Sequence, residues 1–413
     1  MNIIIFGTVW PEPNSSAAGT RMMQLIQLFQ EQQWHVRFVS AAQSSPFMEN
    51  LETLGVETAT IELNNSSLVE QLRTWKPNIV LFDRFMTEEQ FGWRVNETCP
   101  DAITILDTED LHLLRKARQN AVHTREGAQN ADLKTEFAIR EIASIYRCDC
   151  SLIISEAEMS ILKDVFHMPE SHLFYLPFLL DNEDIPNPEN LPNWSDRLDF
   201  MTIGNMIHPP NADAVLWLSR EIWPEIRKQL PGANMHVYGA YPIQRVQQLH
   251  KPKQGFFIHG RAASAGDVIQ QARVMLAPLR FGAGLKGKLI DAMRFGTPSL
   301  TTAIGAEGIL SAENDYDFWP GFVADSPVEI ANKAVELYQN QHTWENARKS
   351  GEKLLKTRFL KAMHAPRFIK HLQDLRSTLS EHRSANFTGQ MLRHHTMRST
   401  KFMAKWIEEK NRS

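Results

Sequence analysis

The sequence predicts an α/β chain of two Rossmann-like, doubly wound domains that face each other across a cleft. Three observations predict it. Short apolar runs alternate with amphipathic stretches, the pattern of strands alternating with helices around a parallel sheet. The rhythm stops in a Pro- and Asn-rich stretch at 181–196 and then restarts. The length, 413 residues, also exceeds the ~250–300 at which one hydrophobic core stops growing.

In the first half, strands are expected at 3–6, 36–39, 79–82, 103–106 and 152–154. Met22, Leu25, Ile26 and Phe29 fall at i, i+3, i+4 and i+7, which predicts a helix over about 20–32. The polar stretch 119–134 lacks apolar periodicity and reads as a long loop or a frayed helix end. In the second half, strands are expected at 200–203, 235–238, 256–258, 274–277 and 299–302. Asn211 reads as the N-cap of a helix that buries Val215, Leu218, Ile222, Ile226 and Leu230 and stops at Pro231-Gly232. The expected domains are 1–185 and 197–355, followed by a helical segment at 356–380 that packs back on the N-terminal domain, and a basic tail at 384–413.

Composition excludes several function classes. A chain with 43% hydrophobic and 22% charged residues is globular rather than disordered, and a net charge of −4 provides no polycationic field for nucleic acid. No apolar run approaches the ~20 residues that span a bilayer, and the opening Met1-Asn2 leads straight into a strand rather than a signal peptide. Three cysteines build no disulfide framework and suit a reducing cytoplasm; Cys148-Asp149-Cys150 lacks the further ligand pair a metal site needs, so no metal is expected. In the tail, Arg393, Arg398, Lys401, Lys405, Lys410 and Arg412 stand against Glu408 and Glu409, interleaved with His394, His395, Met397, Phe402 and Trp406. Two expectations follow: a basic helix in peripheral contact with the inner membrane face, or a frayed end without a role.

Open parallel sheets bind ligands at the carboxyl ends of their strands, so functional residues are sought just after strands. The densest group is 278–293. Gly282 and Gly284 let backbone approach a ligand, and a helix expected over 285–295 places Lys286 and Lys288 in its first turn, where two cations oppose the helix dipole unless an anion binds. This points to a phosphate or diphosphate; the alternative is a solvated lysine pair with Lys288 bridging Asp291. Asp291 can accept hydrogen bonds from sugar hydroxyls, and the loop 303–308, with Glu307, follows the next strand to the same edge. In the first half, the loop 10–21 offers Gly19 amides and Arg21 for an anion, or is a plain strand-to-helix turn. Asp107, Glu109, Asp110 and His112 follow the 103–106 strand and are candidate acid–base groups; the alternative is a capping cluster paired with Arg115, Lys116 and Arg118. Asp83-Arg84 is a weaker candidate of the same kind.

The stretches 204–214, 282–293 and 296–309 together resemble the nucleotide-sugar-binding domain of group 1 glycosyltransferases with the GT-B fold, and the likeness spans 199–310 most strongly. The resemblance implies a retaining, metal-independent hexosyltransferase. It implies a nucleoside diphosphate sugar as co-substrate, no other cofactor, and a glycan, lipid-linked or protein acceptor carried by the N-terminal domain, with a role in glycan, glycolipid or surface polysaccharide synthesis. It implies that Lys286 and Lys288 hold the diphosphate and Asp291 the ribose, with His208 and Asn211 in the loop after the second domain's first strand. The sequence departs from the family where Ala283 replaces the first acid of a Glu-x7-Glu pair, and where Thr108 or Glu109 stands at the site of a His, with His112 beyond. These departures keep two alternatives open: a nucleotide-sugar epimerase or hydrolase, and a binding protein without turnover.

Overall fold

A computed structural model of the chain describes residues 1–185, 187–310 and 316–412. Pro186, counted in the expected linker, lies outside the described residues. The first sheet holds seven parallel strands: β1 (Asn2–Gly7), β2 (His35–Ser40), β3 (Glu57–Thr60), β4 (Ile79–Asp83), β5 (Ile103–Asp107), β6 (Cys150–Ile153) and β7 (Leu173–Tyr175), in the order β3-β2-β1-β4-β5-β6-β7. The second holds β8 (Leu198–Ile203), β9 (Met235–Tyr238), β10 (Phe256–Gly260), β11 (Ala272–Ala277), β12 (Ser299–Thr301) and β13 (Gly321–Val323), in the order β10-β9-β8-β11-β12-β13. Each order turns back on itself, at β1/β4 and at β8/β11. Loops leaving the strand ends diverge at such a point and open a crevice.

Period-two alternation sends neighbouring side chains to opposite faces. Ile3 and Ile5 pack with Met22, Leu25 and Phe29 of helix Ala17–Glu31, while Ile4 and Phe6 pack on the other face with Phe85, Phe91 and Val95 of helix Arg84–Thr98. In the second sheet Phe200 and Leu276 join one core and Met201 and Met275 the other. A separate cluster of Ile154, Phe178 and Leu180 with Leu285, Leu289 and Phe359 ties the two halves together.

Three strands escaped the sequence reading for local reasons. Strand β3, Glu-Thr-Ala-Thr, lies at a sheet edge without an apolar run, while β7 and β13 have three residues each. Helix His112–His123 extends into the expected loop, which is irregular from 124 to 135 apart from one 3-10 turn. The predicted cap at Asn211 is corrected: His208 is the N-cap of helix Pro209–Trp217, because Pro209 favours the first helical position, and Asn211 sits inside the first turn. Likewise Lys286 is the N-cap of helix Gly287–Arg294 rather than a first-turn residue.

The C-terminal region returns to the first half. Leu180 and Leu360 pair side by side where the chain crosses out and back, with Leu180 N–H on Phe359 O and Lys361 N–H on Leu180 O, both 2.8 Å. Helix Lys361–Ser377 then buries Phe368 and Leu372 against the first sheet. The tail, expected either as a basic helix or as a frayed end, is helix Phe387–Arg412. It lies across helices Arg84–Thr98 and Glu136–Arg147. A buried carboxylate holds it there: Asp149, 1% exposed, accepts from Arg383 at 2.6 and 2.7 Å, from Arg393 at 3.3 Å and from Thr104 N–H at 2.8 Å. Among the described residues, no helix is long and apolar enough to cross a membrane. Cys99, Cys148 and Cys150 are free.

Candidate functional site

The strand ends of both sheets meet at one cleft. On the first-domain side, β5 runs into a tight turn in which Asp110 N–H reaches Thr108 O at 2.7 Å around Glu109, whose φ is +62°. A non-glycine residue in that region is uncommon and strained, a feature that concentrates at functional sites. Arg84, after β4, is also left-handed, with φ +68°. Four carboxyls therefore share this edge: Asp83, Asp107, Glu109 and Asp110.

Their environments separate them. Asp107 is buried against Arg21, which binds it through Nε at 3.0 Å and Nη2 at 2.8 Å while Nη1 donates to Leu176 O at 2.8 Å. Arg21, expected to meet a ligand anion, and Asp107, expected to exchange protons, are instead committed to one another inside the fold. Burial raises the Asp107 pKa and Arg21 opposes that shift. Asp110 is largely covered, its side chain 13% exposed, but Arg115, His112 and His208 hold its pKa at about 2, and Arg115 Nη1 bonds its Oδ2. This is the expected capping alternative realised in part. Glu109 remains partly exposed, and burial together with the charges of Asp107 and Asp83 pushes its pKa well up. His112 places Nδ1 3.2 Å from Asp110 O and packs edge-on against Phe85; Glu141 accepts from His112 N–H and Leu113 N–H to cap that helix. A cavity of about 90 Å³ lies beside it, lined by His112, Arg115, Lys116, Gln119, Phe137 and Pro209.

On the second-domain side, the loop after β11 is drawn tight. Lys286 Nζ donates to Gly284 O at 2.7 Å and is buried; burial lowers its pKa, and Glu307 works against that. Lys288 Nζ donates to Asn211 Oδ1 at 2.7 Å, so its partner is Asn211 and not Asp291, and burial brings its pKa down to about 7. Asp291 pairs with Arg294 at 3.2 Å, its pKa raised by burial. His208 is neutral, with burial and Arg115 lowering its pKa to about 3. Glu307 is engaged by Arg118 of the first domain at 2.6 and 2.7 Å, and the same arginine donates to Gly282 O at 3.1 Å.

The two sides touch. Gly284 has φ +62°, and a Cβ there would lie 2.8 Å from Asp110 Cβ. A Cβ at Gly287 would lie 2.6 Å from Ala17 Cβ, so two helices, one from each half, abut at their N-termini. Gly19 is closely packed: a Cβ there would strike the Glu12 backbone at 2.4 Å. Gly282, by contrast, has room for one. Sequence reading missed Arg118 and Glu158 as cleft residues. Arg118 enters the sequence reading only within the capping alternative, and Glu158 carries no signal beyond a helix-start pattern. Among the described residues, no group of three or more His, Cys, Asp or Glu is placed to hold a metal ion.

Residues 197–340 match the family model described as glycosyl transferases group 1. Solved structures with the GT-B architecture superpose over nearly the whole chain. The Rickettsia africae glycosyltransferase is 10% identical, with 91% of this chain and 98% of that one covered and a TM-score of 0.65. Anabaena HepE in complex with UDP and glucose is 11% identical, with 90% and 99% covered and a TM-score of 0.67. Staphylococcus aureus TarM in complex with Fondaparinux, alpha-GlcNAc-glycerol and UDP is 9% identical, with 90% and 99% covered and a TM-score of 0.68. At these identities the likeness is one of fold. An uncharacterized 44.6 kDa protein in the cps region of Klebsiella pneumoniae is 25% identical over 149 residues, 34% of this chain and 35% of that protein. The match thus spans about a third of this curated relative.

Proposed function

On the premise that the chain is a group 1 glycosyltransferase of GT-B fold, we propose that it moves a sugar from a nucleoside diphosphate sugar to a hydroxyl acceptor, in the synthesis of a glycan, glycolipid or surface polysaccharide. One observation carries the reading: the N-termini of helices Ala17–Glu31 and Gly287–Arg294 abut at the cleft, beside Lys286 and Lys288. Helix N-termini and ammonium groups both favour a bound diphosphate. The same groups stabilise the diphosphate as it leaves, without a metal.

In the proposed reaction the bond between the anomeric carbon and the diphosphate oxygen breaks. The acceptor oxygen bonds that carbon on the same face, and the hydroxyl proton passes to the departing phosphate oxygen. Glu109, whose carboxyl burial and the charges of Asp107 and Asp83 push toward the neutral acid, is placed to hydrogen-bond the transferred sugar. HepE and TarM, both solved with UDP, support a uridine donor. The reading places the enzyme at the cytoplasmic face of a membrane, supported by the outward face of helix Phe387–Arg412. There Phe402, Met403 and Trp406 are 66%, 62% and 63% exposed, and Arg398 and Lys405 are exposed with them.

Binding of UDP, GDP, ADP and their glucose conjugates by calorimetry, followed by NMR of the product anomer, tests the proposal. Failure of all of them to bind overturns it, and an inverted product overturns the retaining course. Ala283, at the position of an expected acid, favours one second reading, binding without turnover. Sugar transfer or hydrolysis of a bound donor refutes that alternative.

A further inference from the structure

Ser155-Glu156-Ala157-Glu158 opens helix Glu156–Asp164 with the spacing of a capping box, in which the Ser hydroxyl and the Glu carboxylate bond each other's backbone N–H. The box does not form: Ser155 makes no side-chain cap bond. Glu158, 0% exposed, instead directs one oxygen out of its own helix. Its Oε1 accepts from Leu111 N–H at 2.8 Å, next to Asp110, and from Gly284 N–H at 2.8 Å, in the lysine-bearing loop of the other domain. Its Oε2 is buried and has no hydrogen-bond partner among the described residues. The charged groups that bear on it are Asp110 and Lys286. Beside it, a Cβ at Gly308 would lie 2.2 Å from Ser155 Oγ, so the same helix start is wedged against a second loop of the opposite domain.

Sequences that break a local rule without local gain do so where another demand prevails. Here the local N-terminal cap is given up and both cleft walls are fastened to one oxygen. We propose that Glu158 is a positioning residue that sets the Gly284–Lys288 segment against the Asp110–Leu111 wall, holding the diphosphate side of the cleft in its binding geometry. The inference rests on the diphosphate reading for what the segment binds, but not for the fastening itself.

Burial and the nearby Asp110 raise the Glu158 pKa to about 8, so the neutral acid predominates below that pH and the carboxylate above it. The two amide bonds favour the carboxylate, but burial and Asp110 outweigh them, so the charge works against the fastened arrangement as a whole. Glu158→Gln keeps a carbonyl acceptor and cannot ionise, whereas Glu158→Ala removes the acceptor.

The test uses the full chain. Amide exchange at Leu111 and Gly284, expressed relative to intrinsic rates, is followed from pH 6.5 to 9, and UDP-glucose affinity is measured beside it. The wild type should lose protection at both amides as the pH rises to about 8 and level off above it. Glu158→Gln should keep it, and Glu158→Ala should lack it throughout and bind UDP-glucose about tenfold more weakly, the worth of one to two hydrogen bonds. Equal protection and equal affinity in all three proteins, with only the melting temperature lowered, overturns the proposal. If the protection pattern appears but no protein binds any nucleotide sugar, the fastening stands and the donor assignment falls.

Discussion

Lys288 provides the most direct probe of the donor site. Its ammonium is held by a neutral partner, Asn211 Oδ1 at 2.7 Å, and burial lowers its pKa to about 7. An arriving diphosphate supplies the missing counter-charge and restores the ammonium form, so binding takes up a proton whenever the free site has lost it. At pH 6 about nine-tenths of free sites carry the charge, and at pH 7.5 about a quarter, so affinity should fall about fourfold across that window. UDP-glucose is the right probe because its diphosphate is doubly esterified and does not titrate there. The window also ends below the Glu158 pKa of about 8, and Lys288→Met, which keeps Glu158, is the control for its contribution.

Lys288→Met should bind roughly 10- to 150-fold more weakly at pH 6, the value of one hydrogen bond to a charged group at about 1.5–3 kcal/mol, and should show no slope from pH 6 to 7.5. Calorimetry in buffers of different ionisation enthalpy should register the proton uptake in the wild type alone. A flat wild-type profile, or the same slope in Lys288→Met, refutes the assignment. The sign for the ligand-free protein runs the other way from a salt bridge. The folded pKa lies below the unfolded value of 10.5, so this group makes folding less favourable as the pH falls from about 10 to about 7.

Two further outcomes are expected. Asp149→Ala leaves Arg383 and Arg393 without their carboxylate and should cost about 3–5 kcal/mol in urea unfolding. Because the folded pKa of Asp149 lies below the ordinary value, its stabilisation should be present at neutral pH and lost on acidification; an unchanged midpoint would contradict the docking of the tail. The doubly substituted Phe402→Glu, Trp406→Glu protein should unfold like the wild type, since both side chains are exposed, yet lose co-sedimentation with phosphatidylglycerol vesicles. Wild-type protein that ignores those vesicles, or a variant that still binds them, removes the membrane reading.

The strands of both sheets were legible where apolar alternation was strong, as in Ile3 to Phe6, and illegible where edge position freed the chain from that pattern, as in β3. The loop after β11 was located because strand ends are where parallel sheets work. Which of its residues stay available was not legible. That Arg21 spends itself on Asp107 depends on a partner 86 positions away, and that Lys288 bonds Asn211 depends on one 77 positions away. Glu158 was hidden for the opposite reason: its local pattern suggested a cap, and only the folded chain shows the carboxylate turned outward. The tail looked detachable because Arg393 has no acid close to it in sequence, while its partner Asp149 lies 244 residues earlier.

The paired crossing at Leu180 and Leu360 makes the second sheet an insertion within the chain of the first. During synthesis at ~5–20 residues per second, Asp149 is made about 10–50 s before Arg383, and an entire second domain emerges in between. The half of the protein that leaves the ribosome first is thus the half completed last. A nascent chain stalled before residue 360 presents the unpaired Asp149 and the apolar face that Phe368 and Leu372 later cover. Quality control during translation would therefore act on the first sheet, even when a defect lies in the final helices.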